Sequence, residues 1–162
     1  MVNYAAITGW GMAVPERVLT NADLERMVET SDEWIQTRTG IRERRIASPG
    51  EYTSTLSIAA GRAALERAGL AATQIDTVIL ATCTPDRPFP ATACTVQAGV
   101  GARRAAAFDL VAACSGFVYG LNVATSMIRS GAARNVLFVA CDIFTHFINW
   151  NDRNTCVLFG DG

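Results

Sequence analysis

The 162-residue chain has no lysine, so all 14 of its basic residues are arginines. Without an ε-amino group it can form no Schiff base and offers no lysine to a phosphate-binding loop. Its single histidine, His146, would be the only imidazole available to a cysteine hydrolase. The five cysteines, Cys83, Cys94, Cys114, Cys141 and Cys156, are odd in number, widely spaced and free of any C-x-x-C pair. They read as reduced thiols rather than as a disulfide framework or a metal site. Long apolar runs are missing as well: Arg, Asp or Gly interrupts each one well short of about twenty residues, which argues against a membrane span. The net charge of −1, with arginines spread along the whole chain, speaks against a nucleic-acid partner. The opening residues show neither a charged n-region nor an apolar h-region, so a cytoplasmic location is expected.

Half of the residues are apolar, enough to fill one sizeable core. Runs of strand length at residues 4–10, 77–83, 105–110, 135–141 and 155–159 alternate with helical patterns, the signature of an α/β domain with a mostly parallel, five-stranded sheet covered by helices. Short helices are expected near residues 21–28 and 31–37, the second opened by Thr30-Ser31-Asp32-Glu33 as a capping box and ended by Gly40. Longer ones are expected at 54–68, with Gly69 as C-cap, at 91–100 after Pro85, Pro88 and Pro90, and at 115–130. Apolar residues surround much of that last helix, which predicts a central, buried one. A buried-type strand running into Gly160-Asp161-Gly162 predicts a chain that is a fragment or one piece of a larger assembly.

The sharpest local feature is Phe108-Asp-Leu-Val-Ala-Ala-Cys114-Ser-Gly-Phe117, a strand, a tight turn of small residues and the start of a helix. The turn puts Cys114 at the helix N-terminus, where free N–H groups and the positive end of the helix dipole favour thiolate, the species that attacks a thioester. Ala112, Ala113, Ser115 and Gly116 would let a carbonyl approach the backbone amides as an oxyanion site requires. The alternative is a small apolar residue in a tight turn, and packing is the reading for the other four cysteines.

Together with Asn21-Ala-Asp-Leu-Glu25, the run from Thr30 through Trp34 and Arg38 to Arg44, and Asp152-Arg-Asn-Thr-Cys-Val-Leu-Phe-Gly-Asp-Gly162, this segment resembles the β-ketoacyl-acyl-carrier-protein synthase III family in order and spacing. The resemblance implies a thiolase-like fold of two similar α/β halves, with residues 1–162 as the N-terminal half and the C-terminal half absent. It implies that Cys114 takes an acyl group from acyl-CoA, that Trp34 and Arg153 hold the CoA adenine between them, and that Thr30 and Arg38 are neighbouring CoA contacts. Phe89 would reach across a homodimer into the primer pocket, which Phe144 and Phe159 would also line. CoA enters as the thioester substrate, with no separate cofactor, and malonyl-acyl-carrier-protein is the second substrate.

Each position also has a plainer reading. Trp34 could anchor a short helix, Arg153 could be a surface charge, Phe89 a turn residue, and His146, which matches no catalytic position of the family, a solvated loop residue. The family's catalytic histidine and asparagine belong to its second half and are not in this chain. The expected reaction starts type II fatty-acid synthesis by decarboxylative condensation. Its rivals are a related condensing enzyme of polyketide or secondary metabolism, and a non-catalytic half-domain for dimerisation or carrier-protein binding.

Overall fold

The computed structural model describes residues 4–162. In chain order its elements are β1 (Arg17–Thr20), α1 (Asn21–Glu25), α2 (Asp32–Thr39), β2 (Glu43–Ile46), α3 (Thr53–Ala68), β3 (Thr77–Ala81), α4 (Thr92–Val100), β4 (Ala106–Leu110), α5 (Gly116–Ser130) and β5 (Val136–Ala140), with 3-10 turns at Ala72–Gln74 and Ala113–Ser115. They fall into two compact units, one comprising the residues up to Ala13 with Tyr52–Asp142, the other Val14–Glu51 with Ile143–Gly162.

In the first unit β3 lies between β4 and β5, parallel to both. Its sequence, Thr-Val-Ile-Leu-Ala, is buried at every position, as a central parallel strand covered on both faces must be. The chain runs from β3 through α4 to β4 and then back through α5 to β5. Two right-handed crossovers in opposite directions put α4 and α5 on opposite faces of the sheet. Side chains agree: Leu137 of β5 reaches Gly61 of α3, while Phe138, the next residue, lies under Gly120 of α5. A Cβ at Gly120 would fall on the Phe138 ring, so only glycine lets the helix come that close.

Three of the five expected strands form, and two do not, leaving a three-stranded parallel sheet. Residues 4–10 form no strand. Gly9 and Gly11 instead bring bare backbone against α3, where a Cβ would strike the carbonyls of Ala64 and Ala60. Arg67 holds this arrangement, its guanidinium 4.0 Å from the Trp10 ring and its Nη1 donating to the Trp10 carbonyl at 2.7 Å. Of residues 155–159, 155–158 form turns because the Asp152 carboxylate accepts hydrogen bonds from the Asn154 N–H at 3.0 Å and the Thr155 hydroxyl at 2.9 Å. Nor is α5 buried all round. Gly116, Gly120 and Ala124 face the sheet, whereas Phe117, Val118 and Tyr119 are more than half exposed. One apolar stripe suffices for the sheet, and no described residue covers the rest.

The second unit is built on β1 and β2, an antiparallel pair with Arg17 opposite Ile46 and Thr20 opposite Glu43. Both strands are four residues long and charged, with no two-residue apolar alternation to announce them. Leu19, Leu24, Ile35, Ile46, Cys156 and Val157 form its core. A reciprocal capping box does occur, but at Thr20 and Asp23 ahead of α1. At α2 the N-cap is Ser31, whose hydroxyl accepts from the Trp34 N–H at 3.1 Å. Trp34 occupies the third helical position, so no carboxylate is there to complete the box. Gly40 ends α2 with φ 73°, as expected. The Asp161 carboxylate accepts from the Ala47 N–H at 2.6 Å and the Thr145 N–H at 3.0 Å, tying the Gly-Asp-Gly turn into this unit.

Candidate functional site

Cys114 lies between β4 and α5, as its neighbours imply, and it is a free, exposed thiol. Ala112 is extended in φ at −150°, and Ala113 takes a left-handed φ of 47°, the one positive φ of a non-glycine among the described residues. A left-handed alanine costs about 1 kcal/mol, a cost that recurs where a turn must present the next side chain in a set direction. A 3-10 turn over Ala113–Ser115 then leads into α5, and no side chain caps that helix. Within the turn the Ser115 and Gly116 N–H groups donate to the Ala112 and Ala113 carbonyls, and the positive end of the α5 dipole lies just after Cys114. Cys141 and Cys156 are buried and Cys83 and Cys94 half-buried. Burial, reinforced by the Asp152 charge, pushes the Cys156 thiol above its ordinary value against the opposing pull of Arg44.

The second unit carries the residues expected at the nucleotide end of a thioester. Trp34, half-buried against the Leu24 and Ile35 core, is met by two guanidinium groups: Arg38 at 4.5 Å from the ring and Arg153 at 4.6 Å. Arg38 is one helical turn along α2, and Arg153 arrives from the far end of the sequence. Trp34 thus anchors its helix on the core, as its plainer reading has it, and also forms a cation-π cluster with Arg38 and Arg153. At that spacing the Arg153 guanidinium rests on the indole ring. The buried hydroxyl of Thr30 has no hydrogen-bond partner among the described residues. Asp32, at the start of α2, is held below the ordinary carboxylate value by the amide of Asn21 and then by that of Gln36.

Phe144 and Phe159 pack together with ring centroids 5.1 Å apart. Phe89 is 82% exposed, in a loop whose ends are fixed by Asp86 and Thr92. His146 is exposed in a turn of the second unit. Three groups escaped sequence reasoning. Asp109 accepts from the Thr92 and Ala93 N–H groups at 2.8 and 2.7 Å, capping α4, whose own N-cap residue, Ala91, has no side-chain acceptor. Asp142 gathers the Cys83 N–H at 2.7 Å and the Thr84 N–H at 3.1 Å after β3. Arg44, buried on β2, donates to Asn21 Oδ1 at 2.8 Å and to the Val157 carbonyl at 2.9 Å. Only Asp109 had a sequence signal, a charge inside the otherwise apolar strand β4.

A parallel sheet whose strand β4 leads to an exposed cysteine at the head of a helix fits a thiolase-like α/β fold. Solved structures agree: 3-oxoacyl-[acyl-carrier-protein] synthase III from Aquifex aeolicus superposes with a TM-score of 0.93 at 52% identity, covering 96% of this chain and 50% of that one. The priming β-ketosynthase of a polyketide biosynthetic pathway gives 0.96 at 39% identity, covering 99% and 48%. The profile of the 3-oxoacyl-[acyl-carrier-protein] synthase III family matches residues 108–162, and β-ketoacyl-[acyl-carrier-protein] synthase III of Roseiflexus sp. strain RS-1 is 94% identical over all 162 residues. The chain belongs to the β-ketoacyl-acyl-carrier-protein synthase III family, a family of condensing acyltransferases. It spans about half the length of the curated relatives it matches, 49% of the Roseiflexus protein.

Proposed function

We propose that these residues form the acyl-accepting half of an enzyme that starts type II fatty-acid synthesis. The Cys114 thiolate attacks the carbonyl carbon of an acyl-CoA, most simply acetyl-CoA. The tetrahedral oxyanion collapses, the CoA thiolate leaves and takes up a proton, and the acyl group remains on Cys114 as a thioester. Malonyl-acyl-carrier-protein then loses CO2, and the resulting carbanion attacks the acyl carbon, forming the new carbon–carbon bond as the Cys114 thiolate departs. The products are β-ketoacyl-acyl-carrier-protein, CoA and CO2. The histidine and asparagine that polarise the malonyl thioester in this family would come from a second half of the protein. Trp34, Arg38, Thr30 and Arg153 bind the nucleotide end of CoA, and Phe89 of one copy enters the acyl pocket of another in a homodimer, beside Phe144 and Phe159.

The observation that supports this most is the exposed thiol of Cys114, presented by the left-handed Ala113 at an uncapped helix start. Incubating the complete encoded protein with radiolabelled acetyl-CoA tests it. Label on the Cys114 peptide, absent from Cys114→Ala, is the expected result. No label would favour a carrier-protein-binding or dimerisation module. The likeness to a priming β-ketosynthase supports a second reading, transfer of the primer into a polyketide pathway, and product analysis with both carrier proteins separates the two. The location proposed is the cytoplasm. No helix of the described residues is long and apolar enough to cross a membrane.

A further inference from the structure

Trp34 and Arg153 stand 119 positions apart in the sequence, so something must hold their two segments in register. We propose that Asn21 and Arg44 are positioning residues that set the separation of Trp34 and Arg153 and so tune affinity for the nucleotide end of the acyl donor. This rests on the CoA reading of the Trp34 cluster.

Asn21 is 1% exposed and Arg44 5% exposed. The Asn21 amide nitrogen donates to Asp32 Oδ1 at 2.7 Å and to the Ile41 carbonyl at 2.8 Å, and so grips α2 at its first residue and just beyond its Gly40 cap. Its amide oxygen accepts from Arg44 Nη1 at 2.8 Å, and Arg44 Nη2 donates to the Val157 carbonyl in the turns that follow Arg153. One amide and one guanidinium thus connect both ends of the helix that carries Trp34 to the segment that carries Arg153. An amide is suited to the middle of this relay because it donates to the α2 side and accepts from the guanidinium at once. Arg44 has no carboxylate partner at hydrogen-bond distance among the described residues, and burial lowers its pKa. Where cohesion alone is needed, an apolar residue serves as well as a buried charge. The β1–β2 ladder and the Leu19, Ile46 and Val157 core already supply that cohesion. What the guanidinium adds is direction, two donors in a fixed fork.

Two conservative variants of the complete encoded enzyme test the relay. Asn21→Asp keeps the acceptor for Arg44 but turns a carboxylate toward Asp32 and the Ile41 carbonyl, which pushes α2 away. Arg44→Lys keeps the charge and loses the fork. Each is expected to raise the KM for acetyl-CoA about tenfold, the scale of losing one well-placed stacking contact. Transfer from an acetyl-pantetheine thioester, which has no nucleotide, should stay within about twofold under the same relation. In the Trp34→Ala background Asn21→Asp should add no further loss for acetyl-CoA, because the two act on one contact. Equal damage to both donors, or a fall in melting temperature with unchanged donor preference, would overturn the proposal and leave a structural role. If Trp34→Ala separates the two donors and neither relay variant does, the proposal fails and the CoA reading stands. If Trp34→Ala does not separate them, both fall. Should Arg44→Lys fail to fold, Asn21→Asp decides alone.

Discussion

Asp109 gives the most direct link between the sheet and the loop that carries Phe89. Its two oxygens accept from the first two N–H groups of α4, at 2.8 and 2.7 Å, and Thr92 is 1% exposed, so water cannot replace a lost bond there. Asparagine has the same shape but only one acceptor oxygen, and its NH2 group would face a backbone N–H. Losing one charge-assisted bond and stranding a donor costs about 1.5 to 3 kcal/mol. Removing a negative charge from a helix N-terminus adds about 0.5 kcal/mol. Asp109→Asn should therefore destabilise the protein by about 2 to 3.5 kcal/mol, the sum of those two effects. The damage should be local as well as global, with amide hydrogen exchange rising first at Thr92 and Ala93. Urea denaturation of the complete protein and site-resolved exchange measure both. A change in stability below about 0.5 kcal/mol, the noise level of an ordinary surface substitution, would refute the assignment of Asp109 as the cap of α4. So would unchanged exchange at those two amides.

Brief iodoacetamide treatment followed by peptide mapping should modify Cys114 first, and modification led by Cys83 or Cys156 would remove the case for Cys114 as the nucleophile. The backbone N–H groups of Asn135 and Arg134 hold Asp76 below its ordinary value of 3.8. A depressed carboxylate stabilises the fold above its unfolded pKa and ceases to as pH falls through the folded one, so the stability gap between wild type and Asp76→Asn should be full near neutrality and shrink below about pH 4; a gap independent of pH in urea melts would contradict this. Phe89→Ala should weaken association in light scattering and admit longer or branched primers, since a pocket discriminates by about 1 to 3 kcal/mol per methylene. A stable dimer with an unchanged primer profile would separate Phe89 from both roles.

By itself the sequence determined the features whose cause is local. The run 77–81 is β-branched and apolar enough to be a central strand in any parallel sheet, Gly40 and Gly69 end their helices because left-handed φ suits glycine, and small residues around Cys114 make a strand-to-helix turn there. What it left open depended on partners far along the chain. Residues 4–10 have strand composition, yet a strand exists only where another edge pairs with it, and here Gly9 and Gly11 lie against α3 instead. The apolar surround of α5 reads as burial, but periodicity records which residues can be covered and says nothing of what covers them, so only Gly116, Gly120 and Ala124 are inside. In the cluster around Trp34, motif resemblance singled out Trp34 and Arg153, while the contact between them and the Asn21–Arg44 hydrogen bonds came from the tertiary structure. A hydrogen bond between residues 23 positions apart leaves no periodic trace, because its geometry exists only after the core has brought both side chains out of water and within reach of each other.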